Sequence, residues 1–191
     1  KDLLKNVSNY KNATPFIYCG GIQNEKHALE IIKNGAERVV VGHCFFDKID
    51  YEILSKISNK IGRQSLILSL PVILKNNKLF IYNYIKKTLI DINRIDLLKL
   101  KNFVSELFIT DVANEGCYDN FNLKILKLLK TDIPCIFFGG INSKNKIDFI
   151  LKKNITSAIG IGNFLNFKEH AYQNISRNNQ KFLRKSYYEK N

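Results

Sequence analysis

The apolar residues of this chain come in short continuous runs that alternate with amphipathic stretches. Residues 14–22 form an apolar run that ends in a glycine pair. Apolar positions then recur at helical spacing from Ala28 to Ile32, before a second apolar run at 39–41. A strand, a helix and a second strand in this order predict a βαβ unit with parallel strands.

The same pattern recurs 119 residues further along the chain. The matched pairs are Pro15 and Pro134, Gly20 and Gly139, Gly21 and Gly140, and Ile22 and Ile141. The match continues without a gap through a helix around 147–151 and a strand at 158–161. An internal repeat of this length indicates a duplicated supersecondary unit, so we expect the two copies to share one backbone arrangement.

Further elements fill the interval between the two copies. Strands are predicted at 65–70 and 107–112, with a second apolar stretch at 79–84. Helices are predicted at 96–104 and 122–129, followed by a last helix with Ala171, Ile175 and Phe182. Four strand–helix units span one repeat interval, and a twofold repeat of four units predicts a (βα)8 TIM barrel.

Barrels of this kind run to about 250 residues, and only fourteen residues precede the first copy, which would hold units three and four. We therefore expect an α/β fold in which residues 1–191 form a single partial (βα)8-barrel domain, without the first two βα units.

Composition narrows the class of protein. The 191 residues are 45% hydrophobic and 25% charged, which is typical of a globular core. No apolar run reaches the roughly 18 residues of a membrane helix, and the N-terminus lacks a secretory signal, so we expect a cytoplasmic protein with no membrane contact. The net charge is +13, but it consists mostly of scattered lysine. This favours a phosphorylated small molecule or an acidic protein partner over a nucleic acid.

The four cysteines are far apart, with no Cys-x-x-Cys pair and no histidine at metal-ligand spacing. They support neither a disulfide framework nor a zinc site. We expect no metal and no cofactor.

Glycines mark the ends of three predicted strands, where the chemistry of a (βα)8 barrel is located. Backbone amides at glycine can approach an anion closely, and helix N-termini attract negative charge. The candidate phosphate-binding residues are Gly20, Gly21, Gly139, Gly140, Gly162 and Asn163. The alternative is that these glycines only form tight turns.

Four segments together carry a family resemblance. They are residues 14–22, residues 34–41, residues 106–119 with the Glu106-Leu-Phe-Ile-Thr-Asp run and the Tyr118-Asp119 pair, and residues 133–141. In this order they resemble the cyclase subunit of imidazole glycerol phosphate synthase, over essentially the whole chain. Sister barrels such as the phosphoribosyl isomerase of histidine biosynthesis share the phosphate glycines.

The resemblance implies a subunit that receives ammonia from a glutaminase partner in a heterodimer. Ammonia would enter at the N-terminal face of the barrel and react with a bis-phosphorylated substrate at the opposite face. Arg38 and Glu106 match the charged gate residues at the ammonia entrance. Strand periodicity places each on the face of its strand that carries Val40 or Phe108. If those faces point into the barrel, the two charges must pair; otherwise both lie in water at the rim.

The same comparison exposes departures from the family pattern. Pro71 stands where the family has a catalytic aspartate on strand five, and proline has no proton to transfer. Gly42 and His43 stand where the family binds phosphate through Asn-Thr, and Glu115 replaces the aspartate of the loop after strand six. Glu115 and His43 are the remaining candidates for acid–base catalysis, and each has an ordinary structural or solvated reading as its alternative.

Three functions remain open. The leading hypothesis is a divergent cyclase-like barrel in a glutamine amidotransferase complex, related to those of surface-polysaccharide amidination, that delivers ammonia to a separate sugar amidotransferase. The second is a genuine imidazole glycerol phosphate synthase cyclase, a lyase of histidine biosynthesis. The third is a noncatalytic or truncated barrel.

Overall fold

The structure is a computed structural model that describes residues 15–162 and Leu165. The predicted helix with Ala171, Ile175 and Phe182 and the candidate residue Asn163 lie outside the described residues. The strands are β1 (Ile17–Cys19), β2 (Arg38–Val41), β3 (Leu66–Lys75), β4 (Lys78–Asn83), β5 (Thr88–Asp91), β6 (Glu106–Asp111), β7 (Cys135–Phe138) and β8 (Thr156–Ile159). The helices are α1 (Glu25–Lys33), α2 (His43–Phe46), α3 (Tyr51–Ile61), α4 (Leu97–Leu100), α5 (Lys124–Leu128) and α6 (Lys144–Leu151).

Six of these strands form a continuous parallel sheet in the order β1-β2-β3-β6-β7-β8. Each neighbouring pair is parallel, and helices or turns connect the strands. Strands β4 and β5 form an antiparallel hairpin that extends from β3. The sheet curls into part of a (βα)8 barrel, which confirms the predicted fold class.

The two copies of the repeat adopt the same local structure. Helix α1 begins at Glu25 and helix α6 at Lys144, positions that are 119 residues apart. Both helices have a polar N-cap: the Asn24 side chain accepts a hydrogen bond from the His27 amide (2.9 Å), and the Ser143 hydroxyl accepts one from the Lys146 amide (3.3 Å). The duplication read from the sequence is therefore also a duplication of strand, cap and helix.

The sheet has two different faces. The outer face packs against the helices in a large core that includes Leu66, Leu68 and Leu107. The inner face forms a separate small cluster of Val40, Ile67 and Ile136, with Phe108 and Ala158 packed against it. Successive residues of a strand point to opposite faces, so Val40 shares the inner face with Arg38, and Phe108 shares it with Glu106.

Several predicted boundaries were wrong. The helix predicted at 96–104 shortens to α4, the helix predicted at 122–129 shortens to α5, and helix α3 was not predicted. Strand β3 was predicted to end at residue 70 but continues through Pro71 to Lys75. Pro71 is tolerated because it lies between Leu68, the last residue paired with β2, and Val72, the first paired with β4.

Within the described part of the chain, no helix is both long and apolar enough to cross a bilayer.

Candidate functional site

A charged pair lies at the N-terminal ends of two strands, on the inner face of the sheet. Arg38 begins β2, Glu106 begins β6, and β3 runs between them. The Arg38 Nη2 atom forms an ion pair with Glu106 Oε2. The two side chains are 28% and 12% exposed. The prediction that these two charges pair is confirmed, and the alternative in which each is separately solvated is wrong.

Two further oxygen atoms hold Arg38 in place. Its Nε donates to the Gln64 carbonyl oxygen at 3.2 Å, and its Nη2 donates to the Ser105 hydroxyl at 3.1 Å. The sequence analysis missed both partners, because they belong to the short segments that precede β3 and β6. Nothing in the apolar pattern of those segments marks them.

Apolar side chains follow the charged pair along the inner face. Val40 and Ile67 are 4% and 0% exposed, and Phe108 stacks on Phe138 with 5.7 Å between ring centroids. Among these inner-face residues, the charged ones lie at the N-terminal ends of the strands, and the apolar ones lie further along. A neutral small molecule can lie against such a lining at lower free-energy cost than an ion.

The two glycine pairs that the repeat relates have different surroundings. A Cβ atom at Gly140 would lie 2.8 Å from the Asn114 carbonyl oxygen, and one at Gly139 would lie 2.8 Å from the Asp111 carbonyl oxygen. A Cβ atom at Gly21 would have no heavy atom within 4 Å. Packing of the loops after β6 and β7 therefore requires glycine at the second pair, and phosphate binding at Gly139 and Gly140 stays a prediction. Gly20 and Gly21 are exposed, and Gly21 has open space in front of it.

Gly162 packs against an aromatic ring. A Cβ atom there would lie 3.4 Å from the Phe138 ring, and one at Gly160 would lie 2.9 Å from the same ring. The glycines at the exit of β8 thus make room for Phe138. Phosphate binding at Gly162 stays a prediction.

The N-terminus of α6 already has an anion from the protein itself. The Asp119 carboxylate accepts hydrogen bonds from the amides of Asn142 (3.1 Å) and Ser143 (2.8 Å), and it pairs with Lys146 at 3.6 Å. Partial burial acts to raise the pKa of Asp119, but the hydrogen bonds from Ser143 and Asn142 and the nearby Lys146 charge outweigh it and lower that pKa. Asp119 ties the loop after β6 to the loop after β7.

No exposed carboxylate lies on β3 or at the C-terminal end of β6. Pro71 is buried and is the register partner of Thr110. Asp111 is 1% exposed, and its Oδ2 accepts hydrogen bonds from the Asn114 side chain and the Asn122 amide, both at 2.8 Å. Asp111 therefore stabilises its own loop.

The two candidate catalytic residues belong to different segments of the fold. His43 is an exposed first residue of α2 and lines an open cleft of about 300 Å³ that also includes Asp47 and Asp50. Asp47 pairs with Lys86 at 2.8 Å, which holds its pKa below the usual range. Glu115 is exposed in the loop after β6. Within the described residues no hydrogen bond or ion pair joins His43 to Glu115, and their catalytic roles stay predictions.

All four cysteines are free thiols. Cys135 is buried on the outer face of β7, where burial, with a smaller contribution from Glu106, raises its pKa to about 12. The described residues contain no group of three or more side chains that could hold a metal ion.

The fold and these sites define a (βα)8-type barrel with a charged pair at one end of an apolar inner face. Residues 1–171 match the family model described as histidine biosynthesis protein, and the chain belongs to this family. The resemblance read from the sequence is thus confirmed at the family level.

Relatives of two kinds are similar to the chain. The 1-(5-phosphoribosyl)-5-((5-phosphoribosylamino)methylideneamino) imidazole-4-carboxamide isomerase of Methanocaldococcus jannaschii is 30% identical over 162 residues, which is 83% of this chain and 65% of the relative. Proteins provisionally named imidazole glycerol phosphate synthase subunit hisF2 come from Vibrio vulnificus and Campylobacter jejuni. They are 22% identical over 161 residues and 27% identical over 133 residues, covering 82% and 67% of this chain. The chain spans between 52% and 65% of the lengths of these relatives.

Proposed function

We propose that this chain is the cyclase-like barrel subunit of a glutamine amidotransferase complex. In this proposal a glutaminase subunit docks at the N-terminal ends of the strands and releases ammonia there. The Arg38–Glu106 ion pair carries the proposal, because it closes the N-terminal end of the apolar inner face with one cation and one anion. The names of the Vibrio and Campylobacter relatives agree with a synthase subunit of this type.

The chemistry of the inner face supports ammonia as the molecule that passes. Ammonia is small and neutral, so it loses less solvation free energy than ammonium against the side chains of Val40, Ile67 and Phe108. A charged pair followed by an apolar lining therefore favours the neutral form.

We further propose that the ammonia serves amidation or amidination of a sugar, such as one of a surface polysaccharide, on a separate amidotransferase. Pro71 cannot transfer a proton, and within the described residues no hydrogen bond or ion pair joins the exposed residues His43 and Glu115. In this proposal, position 71 supplies no proton for ring closure, whereas the Arg38–Glu106 ion pair is available for the entry of ammonia.

The first test measures glutamine hydrolysis by candidate glutaminase subunits from the same organism, with and without the full chain. We expect the chain to bind one of them and to stimulate it, and Glu106→Gln to weaken the transfer of glutamine-derived ammonia. Glu52→Gln is the matched control, because Glu52 forms an exposed ion pair with Lys56 at 2.7 Å on helix α3. A wild-type chain that neither binds nor stimulates any of these glutaminases would refute the proposal.

A second test separates this function from a cyclase of histidine biosynthesis. We expect the chain not to rescue a histidine auxotroph that lacks the cyclase, because no proton donor stands at Pro71. Replacing Pro71 with Asp in the same strain measures whether that position limits the activity. Rescue by the unchanged chain would favour the cyclase instead.

We also propose that a phosphate group of the acceptor binds at the loop after β1. The exposed pair Gly20 and Gly21 leaves open space beside its backbone, and no packing contact explains the glycine at position 21. Titration with inorganic phosphate should shift the amide NMR signals of this loop, and Gly21→Ala should weaken the binding at least several-fold. Unchanged binding would refute this site.

A further inference from the structure

The contact between Arg38 and Glu106 is charged but poorly oriented. Glu106 Oε2 is buried and lies beside Arg38 Nη2, yet it makes no hydrogen bond of good geometry within the described residues. The oriented hydrogen bonds of the guanidinium go to the Gln64 carbonyl and the Ser105 hydroxyl. The direction of the guanidinium plane is therefore determined by these two groups, because hydrogen bonds depend on angle more strongly than ion pairs do.

The surroundings of Ser105 fix the orientation of its hydroxyl. Ser105 Oγ lies 3.1 Å from the Leu66 carbonyl oxygen and 3.2 Å from the Gln64 carbonyl oxygen, and its backbone amide donates to Leu66 at 2.9 Å. A hydroxyl has one proton, which it donates to one of these two carbonyls, and its lone pairs remain for Arg38 Nη2. The serine thus bridges the beginning of β3 to the cation.

We propose that Ser105 is a positioning residue that holds the Arg38 guanidinium across the N-terminal end of the barrel in a closed arrangement. Arg38 Nε and Nη2 are then anchored at two separate points, and a planar guanidinium anchored at two points does not turn freely. The hydrogen bonds of Ser105 and Gln64 to Arg38 are observed contacts. The assignment of this arrangement as the closed state of an ammonia gate rests on the proposed function.

The test measures how fast the Arg38 Nε–H proton exchanges with solvent, by NMR on the full chain labelled with 15N, with the signal assigned by its loss in Arg38→Lys. We expect Ser105→Ala to accelerate this exchange at least threefold and Ser105→Thr, which keeps the hydroxyl, to restore it. Ser65→Ala is the matched control, because Ser65 lies next to the same strand end and is also half-buried. An unchanged rate in Ser105→Ala, or an equal acceleration in Ser105→Thr or Ser65→Ala, would overturn the proposal.

A second measurement separates this inference from the proposed function. In a complex with a glutaminase, Ser105→Ala should lower the share of glutamine-derived ammonia that is transferred rather than released to solvent, while exposed Glu52→Gln should not. If no glutaminase binds the wild-type chain but the exchange still accelerates, the proposed function fails and the positioning role stands. If the exchange is unchanged, the positioning role fails whatever the glutaminase assay gives.

Discussion

Gly21 and Gly140 form a natural pair for separating backbone strain from packing. They are equivalent positions of the internal repeat, and their backbones have similar left-handed φ values of 59° and 67°. Alanine at either position meets the same intrinsic penalty, which is about 1–2 kcal/mol for an L-residue in this region. A difference between the two substitutions therefore measures what surrounds each Cβ atom.

The surroundings predict a large difference. A Cβ atom at position 140 would lie 2.8 Å from the Asn114 carbonyl oxygen and 3.1 Å from the Phe121 amide nitrogen, and both are backbone atoms. Relief requires the loop after β6 to move, and overpacking of this kind costs about 1–3 kcal/mol. No atom lies within 4 Å at position 21. We expect a loss of about 2–5 kcal/mol for Gly140→Ala and about 1–2 kcal/mol for Gly21→Ala.

Urea denaturation of the full chain, followed by circular dichroism, measures both free energies of unfolding. The slopes with urea must agree between the two variants for the comparison to hold. Equal losses would refute the view that packing explains only the second glycine pair. A greater loss in Gly21→Ala would show that the loop after β1 is tightly packed, against the geometry described above.

Three further predictions concern charge and burial. Glu106→Ala should lower the free energy of unfolding by about 1–3 kcal/mol in urea denaturation, because it leaves the half-buried Arg38 charge without its charged partner. The double variant Arg38→Met with Glu106→Leu should lose less stability than the sum of the losses in Arg38→Met alone and Glu106→Leu alone. Strict additivity of these losses would contradict the coupling. Asp119→Ala should cost about 2 kcal/mol at pH 7, because the carboxylate accepts two amide hydrogen bonds. The folded pKa of Asp119 is lowered below the unfolded value of about 3.9, so this stabilisation is present above that value and disappears as the pH falls through the lower folded pKa. A loss that stays constant from pH 7 to pH 2 in denaturation curves would argue against it. Cys135 has a pKa of about 12 and no exposed surface, so it should react with a thiol reagent only when the protein unfolds. Exposed Cys117 should react at once in the native protein. Similar reaction rates for both thiols in the native protein would contradict the burial of Cys135.

Much of the barrel could be predicted from local patterns. Short continuous apolar runs and helical runs of period 3.6 identify strands and helices, because each residue's burial follows from its place within its own element. The repeat between residues 14–22 and 133–141 then gives the count of units and so the barrel. The same periodicity placed Arg38 with Val40 and Glu106 with Phe108 on one face of each strand. The structure shows that these faces are the inner ones and that the two charges pair.

Local patterns do not predict how two loops meet in space. The family resemblance pointed to Glu115 and His43, whose catalytic roles stay predictions, and the distance between two loops depends on how far each loop extends from its own strand. The hairpin of β4 and β5 lies between the two in sequence, and its antiparallel pairing was not visible in the apolar run at 79–84.

The sequence by itself determined the parallel βαβ units, the duplication and the residues that share a strand face with Arg38 and Glu106, since these depend on spacing within short segments. Only the tertiary structure decided the partners: Ser105 and Gln64 for Arg38, and the backbone of Asn114 beside Gly140. The physical reason is that spacing along one strand records which side is buried. Which atoms meet there depends on the register and curvature of strands that are distant in sequence.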